Sequence, residues 1–265
     1  MNEQQIADAA DRLYRAERDR VQIKALTQFY DMDMDDAYAV QKAWVDRKLA
    51  DGEQVLGYKV GLTSKSMQIA MKIDTPDYGV LTDRMRIDNG ARVKAADYLD
   101  PRIESEFAFV LKKPLAGEHV TREQVMDATD YVQPALELIS ARSQRVDPDN
   151  GYTRTVFDTI ADNAANAGIV LGGKQIAPDE VDLTWAGAIL SLNGEIEDTG
   201  LGAAVMGHPA EGVRWVCRRF APHGIGLEPG QVILSGSFTR PVAVAPGDEI
   251  RADYGPWGEV TVSFD

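Results

Sequence analysis

At about Val55 the sequence changes texture, from helix-period segments to short β-rich runs broken by Gly and Pro. VLGYKVGLT, RIESEFAFVL, YVQPALELIS, AGIVLGG, AILSLNGEI, QVILSGSF, VAVAPGDEIRADY and GEVTVSF each have the composition of a strand. Helical patterns are sparse among them, around Thr121–Thr129 and from Pro209 to Arg219. Strands without regular strand–helix alternation predict an α+β fold built on largely antiparallel sheets. Asn193-Gly194 is the pair of a tight hairpin turn, and Pro246-Gly247-Asp248 is a second turn signal.

Two helices are expected ahead of this region. Ile6, Ala9, Ala10 and Leu13 recur at helical spacing. The second helix follows DMDMDD, whose aspartates suit a helix N-terminus by capping and by dipole. It carries Val40, Trp44, Val45 and Leu49 and stops at Asp51-Gly52. Neither has a catalytic-looking cluster, so residues 1–54 are read as a cap or interface belonging to the same unit as a β-rich catalytic core, residues 55–265.

A net charge of −14 argues against a nucleic-acid partner, since phosphate binding needs clustered Lys and Arg. No apolar run approaches the roughly 20 residues that span a bilayer, and MNEQQIADAADRLYR has no signal-peptide core. The expected location is the cytoplasm. Cys217, in the helix-like stretch GVRWVCRRF, is read as buried filler. Gly200-Leu201-Gly202 and Gly207-His208-Pro209 lack the spacing of a dinucleotide site, and Pro209 suits a helix entry. Neither a G-x-S-x-G elbow nor a Walker sequence occurs.

The chemistry-bearing residues are carboxylates. In RIESEFAFVL, Ile103, Phe107, Phe109 and Leu111 share one face, and Glu104 and Glu106 share the other, roughly 7 Å apart along the strand. An E-x-E pair alone is commonly a solvated face. Glu137, however, stands alone among apolar neighbours in YVQPALELI, where a carboxylate is costly unless paired, protonated or bound to metal. Three such carboxylates in a chain with three histidines favour an oxygen-ligand site for Mg²⁺ or Mn²⁺ over zinc or copper.

Lys59 lies in VLGYKVGL between Gly57 and Gly61. Alternation sets Leu56, Tyr58, Val60 and Leu62 inward and Lys59 on the opposite face, with room beside the ammonium group. Asp77 follows Pro76 in an ordinary turn composition, and Asp158, Asp162 and Asn163 read as caps or turn residues.

Taken together, the E-S-E strand, the A-L-E strand, VFDTIADN (156–163), KVGLTS (59–64), TPDYG (75–79) and GHP (207–209) occur in one order. In this the chain resembles the hydratase/decarboxylase branch of the fumarylacetoacetate-hydrolase-like superfamily, from about Asp35 to the C-terminus. The resemblance implies a mixed β-roll core with an N-terminal helical cap, and a homo-oligomer, pentamer or decamer. It implies that Glu104, Glu106 and Glu137 hold one Mg²⁺ (or Mn²⁺), chelated by the C1 carboxylate and C2 oxygen of a small dicarboxylate substrate. It also makes Lys59 and Asp77 the candidates for charge stabilisation and acid/base work. The implied activity is a hydro-lyase reaction of aromatic breakdown, water adding to a 2-hydroxy-dienoate or 2-oxo-enoate, in first place a seven-carbon dioate. Hydration of 2-hydroxypentadienoate, decarboxylation of 4-oxalocrotonate, and a non-catalytic role beside a pathway decarboxylase are the alternatives. Carbon–carbon bond hydrolysis is disfavoured, because the Glu–His pair common in such hydrolases would need a histidine before His119. Arg240, in SGSFTRP, is the expected substrate-binding residue, pairing with the far carboxylate of the dioate.

Overall fold

The computed structural model describes residues 1–65, 68–69 and 73–265. Helix α1 (Glu3–Asp19) opens on a capping box between Asn2 and Gln5 and buries Ala9, Ala10, Leu13 and Ala16. Helix α2 (Met34–Ala50) opens on a second box, Asp33 with Asp36, and buries Val40, Trp44 and Val45. It ends where expected, at Asp51-Gly52, with Gly52 at a φ of 87°.

Thirteen strands follow among the described residues. They are β1 (Val55–Gly61), β2 (Asp77–Thr82), β3 (Arg86–Ile87), β4 (Ala91–Val93), β5 (Arg102–Leu111), β6 (Thr129–Ile139) and β7 (Asn166–Leu171). The rest are β8 (Gly187–Leu192), β9 (Glu195–Leu201), β10 (Val232–Ser237), β11 (Val242–Ala243), β12 (Glu249–Asp253) and β13 (Glu259–Phe264). Helices α3 (Arg122–Ala128), α4 (Val156–Ala161) and α5 (Ala210–Phe220) lie between them.

The larger sheet runs β2-β1-β10-β5-β6-β7-β3, with β11 also on β5; the smaller runs β4-β13-β12-β8-β9. Pairing is antiparallel except for β1 with β10, β3 with β7 and β4 with β13. This is the expected mixed, largely antiparallel α+β fold. Asn193 and Gly194 turn the β8–β9 hairpin with φ of 53° and 85°, the positive pair that a type I′ turn requires.

Alternation along β5 divides the core. Ile103, Phe107, Phe109 and Leu111 pack towards the smaller sheet and α5, in one cluster with Ile250, Val260 and Val262. On the opposite face Ala108 of β5, Ala135 of β6, Ile169 of β7 and Leu234 of β10 pack against Leu13, Val40 and Trp44 of α1 and α2. The N-terminal helices thus cover the face of the larger sheet that carries Glu104 and Glu106.

Three local expectations change. Leu56 does not share a face with Tyr58 and Val60: a register shift between Val55 and Gly57 turns it to the helix side, and Leu62 lies past the strand with φ of 56°. VAVAPGDEIRADY is two strands in different sheets, parted at the Pro246-Gly247 turn. Asp77 is the first residue of β2, because β1 supplies a pairing edge that local turn composition does not reveal.

Candidate metal centre

β5 and β6 pair with Glu104 directly opposite Glu137 and Glu106 opposite Ala135. Glu104, Glu106 and Glu137 therefore project from one face, and each offers an oxygen within 4.8 Å of the others. Glu106 and Glu137 are fully buried. Like charges in register repel, and buried carboxylates lose hydration that a few hydrogen bonds replace only in part. Asn166 Nδ2 donates to Glu137 Oε1 at 3.0 Å, and the Gly236 N–H donates to Glu106 Oε2 at 2.8 Å. Glu106 Oε1 and Glu137 Oε2 are buried without a hydrogen-bond partner.

Lys59 and Asp77 reach the same face from β1 and β2. Lys59 Nζ stands 3.1 Å from Glu137 Oε1, and Asp77 pairs across the ladder with Gly61. A Cβ at Gly61 would lie 2.2 Å from Asp77 Oδ1 and 3.2 Å from Lys59 Nζ, so the glycine is what lets that carboxylate sit beside the ammonium. Gly57, the other flanking glycine, makes room instead for the β10 backbone, since its Cβ would meet the Val232 carbonyl at 1.9 Å.

Electrostatics follow from this crowding. Burial, then the charge of Glu137, pushes the Glu104 carboxyl up to about 8. The same two causes raise Glu106 well above the usual carboxylate range. Burial also raises Asp77, with Lys59 opposing it. Burial alone would lower Lys59, but Glu137, Asp77, Glu104 and Glu106 together raise it. A cluster this short of positive charge, with two orphaned carboxylate oxygens, fits a hard dication with oxygen ligands.

The pocket above the cluster is lined by Lys59, Asp77, Glu104, Thr63, Ser237 and Thr239, together with Arg145 and Arg154. The two arginines were not anticipated. They lie in the irregular loop after β6, which has no periodicity to flag a facing residue. Their one signal is that they follow the Glu137 strand directly.

Arg240 is not brought to this site. Its guanidinium is exposed and held by Glu197, with Nη2 2.5 Å from Oε2, while its N–H donates to Asp198. Two acidic residues of β9 draw the side chain outward, and its neighbours Thr239 and Pro241 face the pocket instead.

In VFDTIADN, Thr159 lines the pocket, while Asp158, Asp162 and Asn163 tie neighbouring segments together. Asp158 accepts from the N–H and hydroxyl of Thr27, Asp162 accepts from the Arg142 N–H, and Asn163 exchanges two hydrogen bonds with Val80. Cys217 is buried in α5, and burial raises its thiol to about 11, as suits filler.

Residues 35–264 match the family model of the fumarylacetoacetate hydrolase C-terminal domain, the stretch expected from the motifs. The chain belongs to the fumarylacetoacetate hydrolase family. It is 50% identical over 256 residues, 96% of each chain, to the 2-oxo-hept-4-ene-1,7-dioate hydratase of Escherichia coli. It is 37% identical to the 2-keto-4-pentenoate hydratase of Paraburkholderia xenovorans, across 100% of this chain and 97% of that one. Among solved structures, 4-oxalocrotonate decarboxylase from Pseudomonas putida G7, complexed with magnesium and adipate, superposes with a TM-score of 0.94. That pair shares 34% identity over 100% of this chain and 99% of the other. The decarboxylase has also been solved with calcium and acetate.

Proposed function

We propose that the chain is a divalent-metal-dependent hydratase, converting 2-oxohept-4-ene-1,7-dioate to 4-hydroxy-2-oxoheptanedioate in aromatic breakdown. One observation carries this reading: the buried Glu104–Glu106–Glu137 cluster, with Lys59 on Glu137 and Asp77 beside Lys59. The 50% identity to a hydratase of that name selects the substrate among the family's possibilities.

Glu104, Glu106 and Glu137 would hold Mg²⁺ or Mn²⁺. When bound, such an ion supplies Lewis acidity to a 2-oxo acid. Lys59, anchored on Glu137, keeps a permanent positive charge beside the oxygen on which enolate charge develops. Asp77, whose carboxyl is raised by burial against the pull of Lys59, is the group placed to donate at C5 of the dienol form, leaving an alkene conjugated to the 2-oxo group. Its carboxylate then takes a proton from the water whose oxygen bonds to C4. The enol hydroxyl proton ends on C3, so Asp77 finishes protonated, as it began. Oδ1, which has no hydrogen-bond partner, is the atom free to make these transfers.

Decarboxylation is the second reading, favoured by the TM-score of 0.94 to 4-oxalocrotonate decarboxylase. Purified protein with Mg²⁺ and each acid separates the two: hydration removes alkene absorbance without CO₂, whereas decarboxylation releases it. No turnover of any acid would leave a non-catalytic partner role. The reading includes a cytoplasmic homo-oligomer, pentamer or decamer. The assembly is supported by the exposed Ile189 and Ile196 of the smaller sheet and by the exposed Trp185 in the turn before β8; no described helix is long and apolar enough to cross a membrane.

A further inference from the structure

The loop from Arg145 to Arg154 folds back on itself. The Arg154 N–H donates to the Arg145 carbonyl at 3.0 Å, and Val146 bridges to Thr153 in the next pair. Residues directly opposite in an antiparallel pair project their side chains from the same face, so the ladder sets two guanidiniums side by side. Both line the pocket that Glu104, Lys59 and Asp77 also line, while Val146 of the alternate pair is exposed.

Like charges opposed in this way are unfavourable unless something anionic is shared between them. Arg145 is partly answered, its Nε donating to Asp100. Its Nη2, however, is buried with no hydrogen-bond partner. Arg154 is only 8% exposed, and among the described residues its guanidinium makes one hydrogen bond, a long one from Nη1 to the Ser143 carbonyl at 3.3 Å. No carboxylate lies within salt-bridge distance of it among the described residues. Burial, then the charge of Arg145, lowers its guanidinium to about 10, with Asp162, Asp158 and Asp100 opposing from beyond ion-pair distance. Lys59, by contrast, already has Glu137. Among these pocket cations, the one without a direct ion-pair partner is therefore Arg154, on this loop.

We infer that Arg145 and Arg154 form a carboxylate subsite that grips the end of the substrate remote from the glutamate cluster, making the site selective for diacids over monoacids. The inference rests on the hydratase reading above and names the residues that recognise the second carboxylate. A planar guanidinium pair offers parallel N–H donors to one carboxylate, and a monoacid leaves those donors unmet.

The test is calorimetric binding to the Mg²⁺-loaded protein of two saturated acids that cannot be hydrated, 2-oxoheptanedioate and 2-oxoheptanoate. Wild type should bind the diacid more tightly by on the order of 30-fold, the ratio expected for a buried charge pair lacking one partner. In Arg154→Gln and in Arg145→Gln that ratio should fall to within about threefold of unity. Thermal melting checks each fold, and Arg145→Gln stands alone if loss of the Ser143 contact unfolds the Arg154 variant. A ratio near unity in wild type, or one kept in a folded variant, overturns the inference while leaving the hydratase reading intact. If neither 2-oxo acid binds, the hydratase reading itself falls, and the inference with it.

Discussion

Glu104 and Glu137 face each other directly across β5 and β6, two carboxylates in register on a buried face. Without a cation, this arrangement opposes folding wherever both are charged. The Glu104 carboxyl is pushed up to about 8 from an ordinary 4.5 by burial and by Glu137. A carboxyl raised in the folded state is favourable at low pH and becomes a penalty as pH rises through the shifted value. In chelator, the melting temperature should therefore fall as pH rises between about 4.5 and 8. Mg²⁺ or Mn²⁺ should restore it at the upper end and also restore activity. Glu137→Gln should weaken metal affinity, as read by calorimetry. Full activity after chelation, or a melting temperature indifferent to metal, would remove the ion from the account.

Lys59→Met should keep the fold and the metal but lower kcat by about 10²-fold or more, the usual size of a lost acid/base or charge-stabilising group. KM should change far less, because the ammonium is proposed to act on developing charge. An unchanged kcat would leave Lys59 as nothing more than the counter-ion of Glu137.

Arg240→Leu should leave kcat/KM for the seven-carbon dioate within about twofold of wild type. The guanidinium is exposed on Glu197, and exposed pairs contribute about 0–1 kcal/mol. A large loss confined to the dioate would mean that the side chain leaves Glu197 when substrate arrives.

The triad was legible because its signal is local. Two glutamates two apart on a strand share a face, and a lone glutamate in an apolar strand demands compensation. That β5 pairs with β6, setting Glu104 on Glu137, follows from register, which no stretch of sequence displays by itself. Lys59 and Gly61 were legible as a pattern, but the occupant of the space, Asp77, came from a neighbouring strand. Arg240 misled for the same reason in reverse. Its motif sits next to pocket residues, yet Glu197 and Asp198 of β9, distant in sequence, decide where its charge goes. Arg145 and Arg154 were illegible because an irregular loop carries no period from which a facing direction can be read.

His208 supplies a pH test remote from the glutamates. Pro209 precedes α5, and the first helical N–H, that of Ala210, donates to His208 Nδ1 at 3.1 Å. The imidazole takes the place of the usual N-cap oxygen, and only its neutral form has the Nδ1 lone pair free. Burial lowers its pKa from 6.5, helped by Arg122 and opposed by Glu211 and Asp182. A histidine lowered in the folded state contributes stability that is present above 6.5 and lost as pH falls through the shifted value. His208→Asn retains a side-chain acceptor at the cap but cannot titrate. The loss of melting temperature between about pH 8 and about pH 5 should therefore be smaller in His208→Asn than in wild type. Metal should be held saturating throughout, so that the glutamate cluster stays ligated. Equal losses in the two proteins would show that the acid sensitivity of the fold arises elsewhere.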